Sequence, residues 1–231
     1  MNFKKYLITG GAGFIGAALV HRLVREGHQV RVLDNNSRGS MLRLASIKRQ
    51  IEFIEGDIRD FETCLQAVTG VDAVCHLAFI NGTKHFYSHP DLVLDVGVKG
   101  ITNIIDSCLQ QQVGNLFVAS SSEVYQIPPV IPTDESAPLS IPDPLNPRYS
   151  YAGGKIIAEL MALNHGRKNF DRVVVFRPHN VYGEDMGWDH VIPEFITSMD
   201  RSISENLSKP IQFDIQGSGK ESRAFVYIDD F

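Results

Sequence analysis

The sequence predicts an α/β protein of the Rossmann type: a doubly wound parallel sheet followed by a small, incomplete C-terminal part. Three observations predict it. An apolar run from Tyr6 rises into Thr9, and Gly10, Gly13 and Gly16 follow at a spacing of three. Behind them Ile15, Leu19 and Leu23 repeat every fourth residue, as one face of a helix does. From there strand-like and helix-like stretches alternate as far as Arg177, the pattern of a parallel sheet with helices on both faces.

In order, Lys4 to Thr9 reads as the first strand and Gly13 to Glu26 as the first helix, ended by Gly27-His28. The turn between them is too sharp for a side chain at Gly10. Gly13 lets a dinucleotide pyrophosphate approach the backbone, and Gly16 lets the helix lie close on the strand. The helix N-terminus then offers N–H groups and a partial positive charge to phosphates. The second strand, Gln29 to Asp34, ends in an acid at the distance where one would hold the adenosine ribose. A polar turn, 35–39, follows. Ile51 to Glu55 is the third strand, followed by Gly56-Asp57-Ile58 and a helix with Phe61, Leu65 and Val68 on one face. Ala73 to Leu77 is the fourth strand, Pro90 to Gln112 a long helix, and Leu116 to Ser120 the fifth strand.

The stretch Gln126 to Arg148 holds seven of the eleven prolines, so a long irregular loop is expected there, of the kind that is usually functional or disordered. A helix from Tyr151 to about Asn164 and a β-branched strand, Arg172 to Arg177, complete the alternation. Beyond Pro178 the expectation is a loop, a helix near Val191 to Met199, and short strands at Ile211 to Ile215 and Ala224 to Ile228. The change from a cofactor half, 1–178, to a substrate half, 179–231, interleaved with it, is placed near Pro178.

Composition narrows the classes. The 231 residues carry a net charge of −5 and no basic cluster, which excludes nucleic acid as an expected partner. No run approaches a membrane span. The start, Met1 to Lys5, is not a signal peptide, because its apolar stretch is short and runs into the glycine turn. Cys64, Cys75 and Cys108 are odd in number and lie in apolar patterns, as reduced core residues of a cytoplasmic protein do; no metal site is expected.

Two groups carry chemistry. Tyr151 and Lys155 lie four apart on one helix and project from one face. A tyrosine of ordinary pKa is a poor base at neutral pH, and an ammonium beside it is expected to lower that pKa. The pair can then take a proton from an alcohol while hydride leaves its carbon. Ser120-Ser121-Ser122-Glu123-Val124-Tyr125 leaves the fifth strand at the carboxyl edge of the sheet, where the reactive end of a dinucleotide is expected.

Taken together with Gly56-Asp57-Ile58, His76-Leu77-Ala78, the run from Arg177 to Gly183 and the run from Arg223 to Asp230, these motifs resemble the NAD-dependent nucleotide-sugar epimerase/dehydratase family of extended short-chain dehydrogenase/reductases. The resemblance covers the whole chain in order. It implies that 1–178 binds NAD, with Gly10, Gly13, Gly16 and the backbone of Phe14 and Ile15 at the pyrophosphate. Asp34 and Asn35 would lie at the adenosine ribose, Asp57 and Ile58 at the adenine, and Leu77, Ala78 and His179 near the nicotinamide. Ser121 would be the catalytic hydroxyl, Tyr151 the base and Lys155 its ribose-binding partner. Ser122, Asn180 and Arg223 would contact the sugar nucleotide, Arg223 through its diphosphate. A homodimer through the helices Pro90–Gln112 and Tyr151–Asn164 is also implied.

The chain departs from the family pattern in three places. Gly97 stands where an Asn-Val-x-Gly-Thr pattern has asparagine, so a cofactor contact is expected to be lost. Phe79 replaces a small residue and is expected to narrow the nicotinamide site. The chain also stops at Phe231, inside a motif that relatives continue, which reads as a fragment with an incomplete substrate half. The implied activity is oxidation of a nucleotide sugar at C4 through a 4-keto intermediate, with 4-epimerisation favoured. The alternatives are a 4,6-dehydratase or uronic-acid decarboxylase using Glu123 as a base at C5, a simple reductase that releases its cofactor each turnover, and a non-catalytic NAD-sensing protein.

Overall fold

The computed structural model describes residues 4–188, 190–205, 215 and 217–231. The chain divides into two compact units, Met1–Pro178 and His179–Phe231. The first carries a six-stranded parallel sheet built from β1 (Lys5–Thr9), β2 (Gln29–Asp34), β3 (Ile51–Glu55), β4 (Ala73–His76), β5 (Asn115–Ala119) and β6 (Arg172–Phe176), in the order β3-β2-β1-β4-β5-β6. The order reverses between β1 and β4, and in such sheets ligands bind at that switch point, beyond the carboxyl ends of the strands.

Neighbouring residues of one strand feed two different cores, as the two-residue period of a strand requires. Leu7, Leu33, Val74, Leu116 and Val118 pack on one face against α2 (Phe61–Val68), α4 (Pro90–Gln111) and α5 (Ser150–Asn169), through Val68, Val96, Ile104, Ile105 and Ala158. Ile8, Val30, Val32 and Cys75 pack on the other face against α1 (Phe14–Arg25), through Ala17, Val20 and Leu23. Helix boundaries have local causes. Gly27, in the left-handed region at φ 85°, follows α1, and the His28 N–H reaches back to the Leu23 carbonyl. Asp60 caps α2 by accepting from the Glu62 N–H. Pro90 opens α4, and left-handed Gln112 closes it.

Most sequence expectations hold within a residue or two. The differences are specific. A ten-residue 3-10 stretch, Met41–Gln50, and a short helix α3 (Thr83–Ser88) occupy ground that the sequence left between strands. Helix α5 continues to Asn169, five residues beyond its expected end. In the second unit, β7 (Asn180–Tyr182) pairs in parallel with β8 (Phe225–Tyr227), and α6 runs over Val191–Glu205. The expected strand at Ile211 to Ile215 lies outside the described residues except for Ile215, which is in no strand. Among the described residues no helix is long and apolar enough to cross a membrane.

Candidate active site at the carboxyl edge of the sheet

The glycine turn is built around close backbone contacts. Gly10 sits at φ 70°, and a Cβ there would lie 2.8 Å from the Ala78 backbone, so the segment following β4 closes one side of the turn. A Cβ at Gly16 would run into the Gly10 carbonyl, and one at Gly13 would stand 3.1 Å from it. No side chain caps α1, whose N-cap is Gly13. Its first N–H groups, at Phe14 and Ile15, have no carbonyl one turn back to bond with, and remain donors for an anion. Cradle and donors both fit a dinucleotide pyrophosphate.

Thr9 ties the end of β1 to His76 and the residues that follow β4. The Thr9 hydroxyl oxygen accepts from the N–H groups of Leu77 and Ala78, both at 3.2 Å. Its proton then goes to His76 Nδ1, 2.8 Å away. His76 is thereby a neutral acceptor, and burial, helped by the Lys155 charge, pulls its pKa down to about 3. Both residues lie within sequence motifs whose spacing assigns neither of them a role.

Asp34 is buried at the end of β2. One carboxylate oxygen accepts from Ala12 N–H at 2.9 Å, the other from Asn36 N–H at 2.8 Å. A carboxylate has about four lone-pair directions, so both oxygens keep capacity for ribose hydroxyls. Asn35 donates to Asp57, which also pairs with Arg59 at 2.8 Å; those bonds bring the Asp57 carboxyl down to about 2. The Ile58 side chain belongs to the core, packed under Gly100.

Ser121, Tyr151 and Lys155 come together at the ends of β5 and α5. Ser121 hydrogen-bonds the Tyr151 phenol and also accepts from the Glu123 N–H. Tyr151 is buried, with Phe86 stacked 5.0 Å from its ring and Phe79 edge-on at 5.2 Å. Burial pushes its pKa up to about 12 against the Ser121 hydrogen bond, and the Glu123 charge adds to the rise. The sequence expectation is a lowered pKa; in this site burial, the largest cause, raises it instead. The Lys155 ammonium donates to the Ala119 carbonyl at 2.6 Å and lies over the Tyr151 ring face, 5.7 Å from its centroid. Burial pulls Lys155 down to about 7, with Glu159 opposing.

Two partnerships went unforeseen. Arg148, at the end of the proline-rich loop, donates to both oxygens of Glu123 at 3.1 and 3.3 Å. Arg177 forms a two-pronged pair with buried Glu159, at 2.8 and 2.6 Å, and donates to Tyr125. Ser120, beside the catalytic candidate, donates to the same Glu159. Only the presence of Arg177 and Glu159 in sequence hinted at this pairing, and their spacing does not encode it. Ser122 opens a 3-10 turn and its N–H is held by the Pro178 carbonyl at 3.0 Å. His179, Asn180 and Arg223 belong to the second unit and are exposed. There the Asn180 amide donates to the Ala224 carbonyl at 3.1 Å, and Arg223 to the Ser222 carbonyl.

The chain is 31% identical to UDP-glucuronic acid decarboxylase 1 of Xenopus tropicalis, across 98% of this chain and 51% of that protein. It is 33% identical to UDP-glucose 4-epimerase of Mycolicibacterium smegmatis, across 97% of this chain and 69% of that protein. It thus spans about half the length of the decarboxylase and two-thirds of the epimerase. Its fold matches the dTDP-glucose 4,6-dehydratase DesIV of Streptomyces venezuelae, solved with NAD, at a TM-score of 0.82 and 27% identity over 97% of this chain and 68% of that one. The sequence model of the NAD dependent epimerase/dehydratase family matches residues 6–231. The chain belongs to that family, whose cofactor is NAD.

Proposed function

We propose that the protein is a nucleotide-sugar enzyme that oxidises its substrate at C4, with 4-epimerisation as the outcome best supported. The observation that carries this is the Ser121–Tyr151–Lys155 group. It has a hydroxyl to hold a substrate oxygen, a phenol to exchange a proton and a cation to support that exchange. Bound NAD would supply the hydride acceptor and, on return, the donor. Tyr151 takes the C4 hydroxyl proton, and Ser121 steadies the same oxygen. To accept that proton Tyr151 must be ionised, and the Lys155 ammonium together with the positive charge of a bound nicotinamide would supply the field that offsets the burial raising its pKa. Asp34 holds the adenosine ribose, an arrangement that repels a 2′-phosphate and favours NAD over NADP. In this reading Ser122, His179, Asn180 and Arg223 contact substrate or nicotinamide, and residues 179–231 form part of the sugar-binding half.

Glu123 separates the possible outcomes. A 4-epimerase needs no second base, whereas dehydration or decarboxylation acts beyond C4. The Arg148 pair engages both Glu123 oxygens, which favours a positioning role for this acid. The second reading, C5/C6 chemistry, draws on Glu123 standing close enough to Tyr151 to raise its pKa, and on the decarboxylase among the relatives. Glu123→Gln in the full-length protein decides between them. A 4-epimerase should keep most of its rate. Accumulation of bound NADH after C4 oxidation, read by its near-ultraviolet absorbance, would instead assign Glu123 to chemistry beyond C4.

We also propose a second copy of the chain as partner. Helix α5 buries Ala158 and Ala162 on one side and exposes Ile157, Leu160 and Leu163 on another, with Leu94 of α4 also exposed. A helix apolar on two faces needs two partners, and the sheet covers only one.

A further inference from the structure

Two departures from the family pattern meet in one place. The Phe79 ring leaves the end of β4 and reaches between α4 and α5, where each helix presents a glycine to it. A Cβ at Gly97 of α4 would lie 2.5 Å from the ring's Cζ, and one at Gly154 of α5 would lie 2.9 Å from the same atom. No side chain fits at either position while the ring stays. Gly97 is therefore the room that Phe79 occupies. The ring meets the two proton-handling residues directly: the Lys155 Nζ sits 4.1 Å from its centroid, and the Tyr151 ring stands edge-on to it at 5.2 Å and 84°. An ammonium within about 6 Å of a ring centroid is attracted by the face of the ring, most strongly where water is excluded. Lys155 is such a case, only 4% exposed.

We propose that Phe79 is a positioning residue: its ring, wedged between Gly97 and Gly154, holds the Lys155 ammonium against the carboxyl end of β5 and braces Tyr151 beside Ser121. This rests on the reading of Tyr151 and Lys155 as the proton-handling pair. The charged and titratable groups facing Lys155 are His76 from β4 and Tyr151 and Glu159 from α5, with the Ala119 carbonyl from β5 as hydrogen-bond acceptor. Glu159 is shared with Arg177, and His76 is neutral, so neither replaces the ring as a neighbour of the ammonium. Leucine keeps most of the apolar bulk at position 79 and removes the ring's electrostatic attraction.

The test is the titration of Lys155 by carbon-13 NMR of its side chain in the full-length protein, without NAD or sugar, the signal being assigned with Lys155→Arg. Phe79→Leu should lower the midpoint by about 0.5 to 1 pH unit, because the charged form loses its aromatic partner. Phe79→Tyr should restore it. Phe79→Met, also without a ring, makes the same comparison if the leucine variant does not fold. A midpoint that is unchanged or raised in Phe79→Leu or Phe79→Met, or that Phe79→Tyr fails to restore, overturns the proposal. No substrate enters the measurement, so it fails or holds separately from the reaction reading, which turnover by Tyr151→Phe addresses.

Discussion

At the scale of single residues, the site is a set of groups displaced from their ordinary protonation. Tyr151 is pushed up, Lys155 and His76 are pulled down, and burial is the largest cause in each case. The sequence made Tyr151 and Lys155 legible through their spacing, and Ser121 through the family resemblance of the run ending at Tyr125. It did not reveal the displacement, because burial depends on Phe79, Phe86 and Val93 arriving from other segments. His76 gives a stability prediction. Its pKa falls from 6.5 in the unfolded chain to about 3 when folded. Above the first value both states are neutral; below it the unfolded state takes up a proton that the folded state refuses. Stability contributed by neutral His76 is therefore lost as pH falls through that window, by at most about 1.4 kcal/mol per pH unit. Urea unfolding between about pH 6 and 4 should show a shallower loss for His76→Gln than for the parent. Equal slopes would remove His76 from the account.

At the scale of elements, the strand and helix order was readable because periodicity changes sharply from two to nearly four along the chain. Residues 41–50 were not, since their apolar positions follow neither period. Asn180–Tyr182 also escaped notice, because a three-residue strand is defined by its partner Phe225–Tyr227 rather than by its own residues. The same holds for the joint between β5, β6 and α5. Ser120, Arg177 and Tyr125 all meet at Glu159 or its pair, and that joint fixes the strand end from which Ser121 projects. Glu159→Ala leaves a largely buried Arg177 unpaired and should destabilise the protein by about 3–5 kcal/mol. The double change Glu159→Leu with Arg177→Met should be milder, because no charge is left without a partner. Chemical denaturation of both variants checks this; a double variant at least as damaged as Glu159→Ala would show that packing, not charge pairing, carries the joint.

At the scale of the whole molecule, the order of motifs announced the family and the sheet, while the arrangement of partners left fewer marks. The exposed Leu160 and Leu163 are visible in the sequence only as ordinary helix residues; their exposure follows from where α5 lies on the sheet. Leu160→Glu places a charge on the proposed contact between copies and should turn a dimer into a monomer in light scattering, with the fold unchanged by circular dichroism. An unaltered mass would place the contact elsewhere. The central claim, that Tyr151 exchanges the C4 proton of a nucleotide sugar, is tested most directly by proton NMR of products. Full-length protein with NAD would be given UDP-glucose, UDP-N-acetylglucosamine, UDP-glucuronic acid and dTDP-glucose, alongside its Tyr151→Phe variant. The account predicts conversion of at least one of these through C4, slowed about 10²–10⁴-fold in Tyr151→Phe with NAD still bound. Conversion at a near-parental rate by Tyr151→Phe, or no conversion of any of the four, would contradict it.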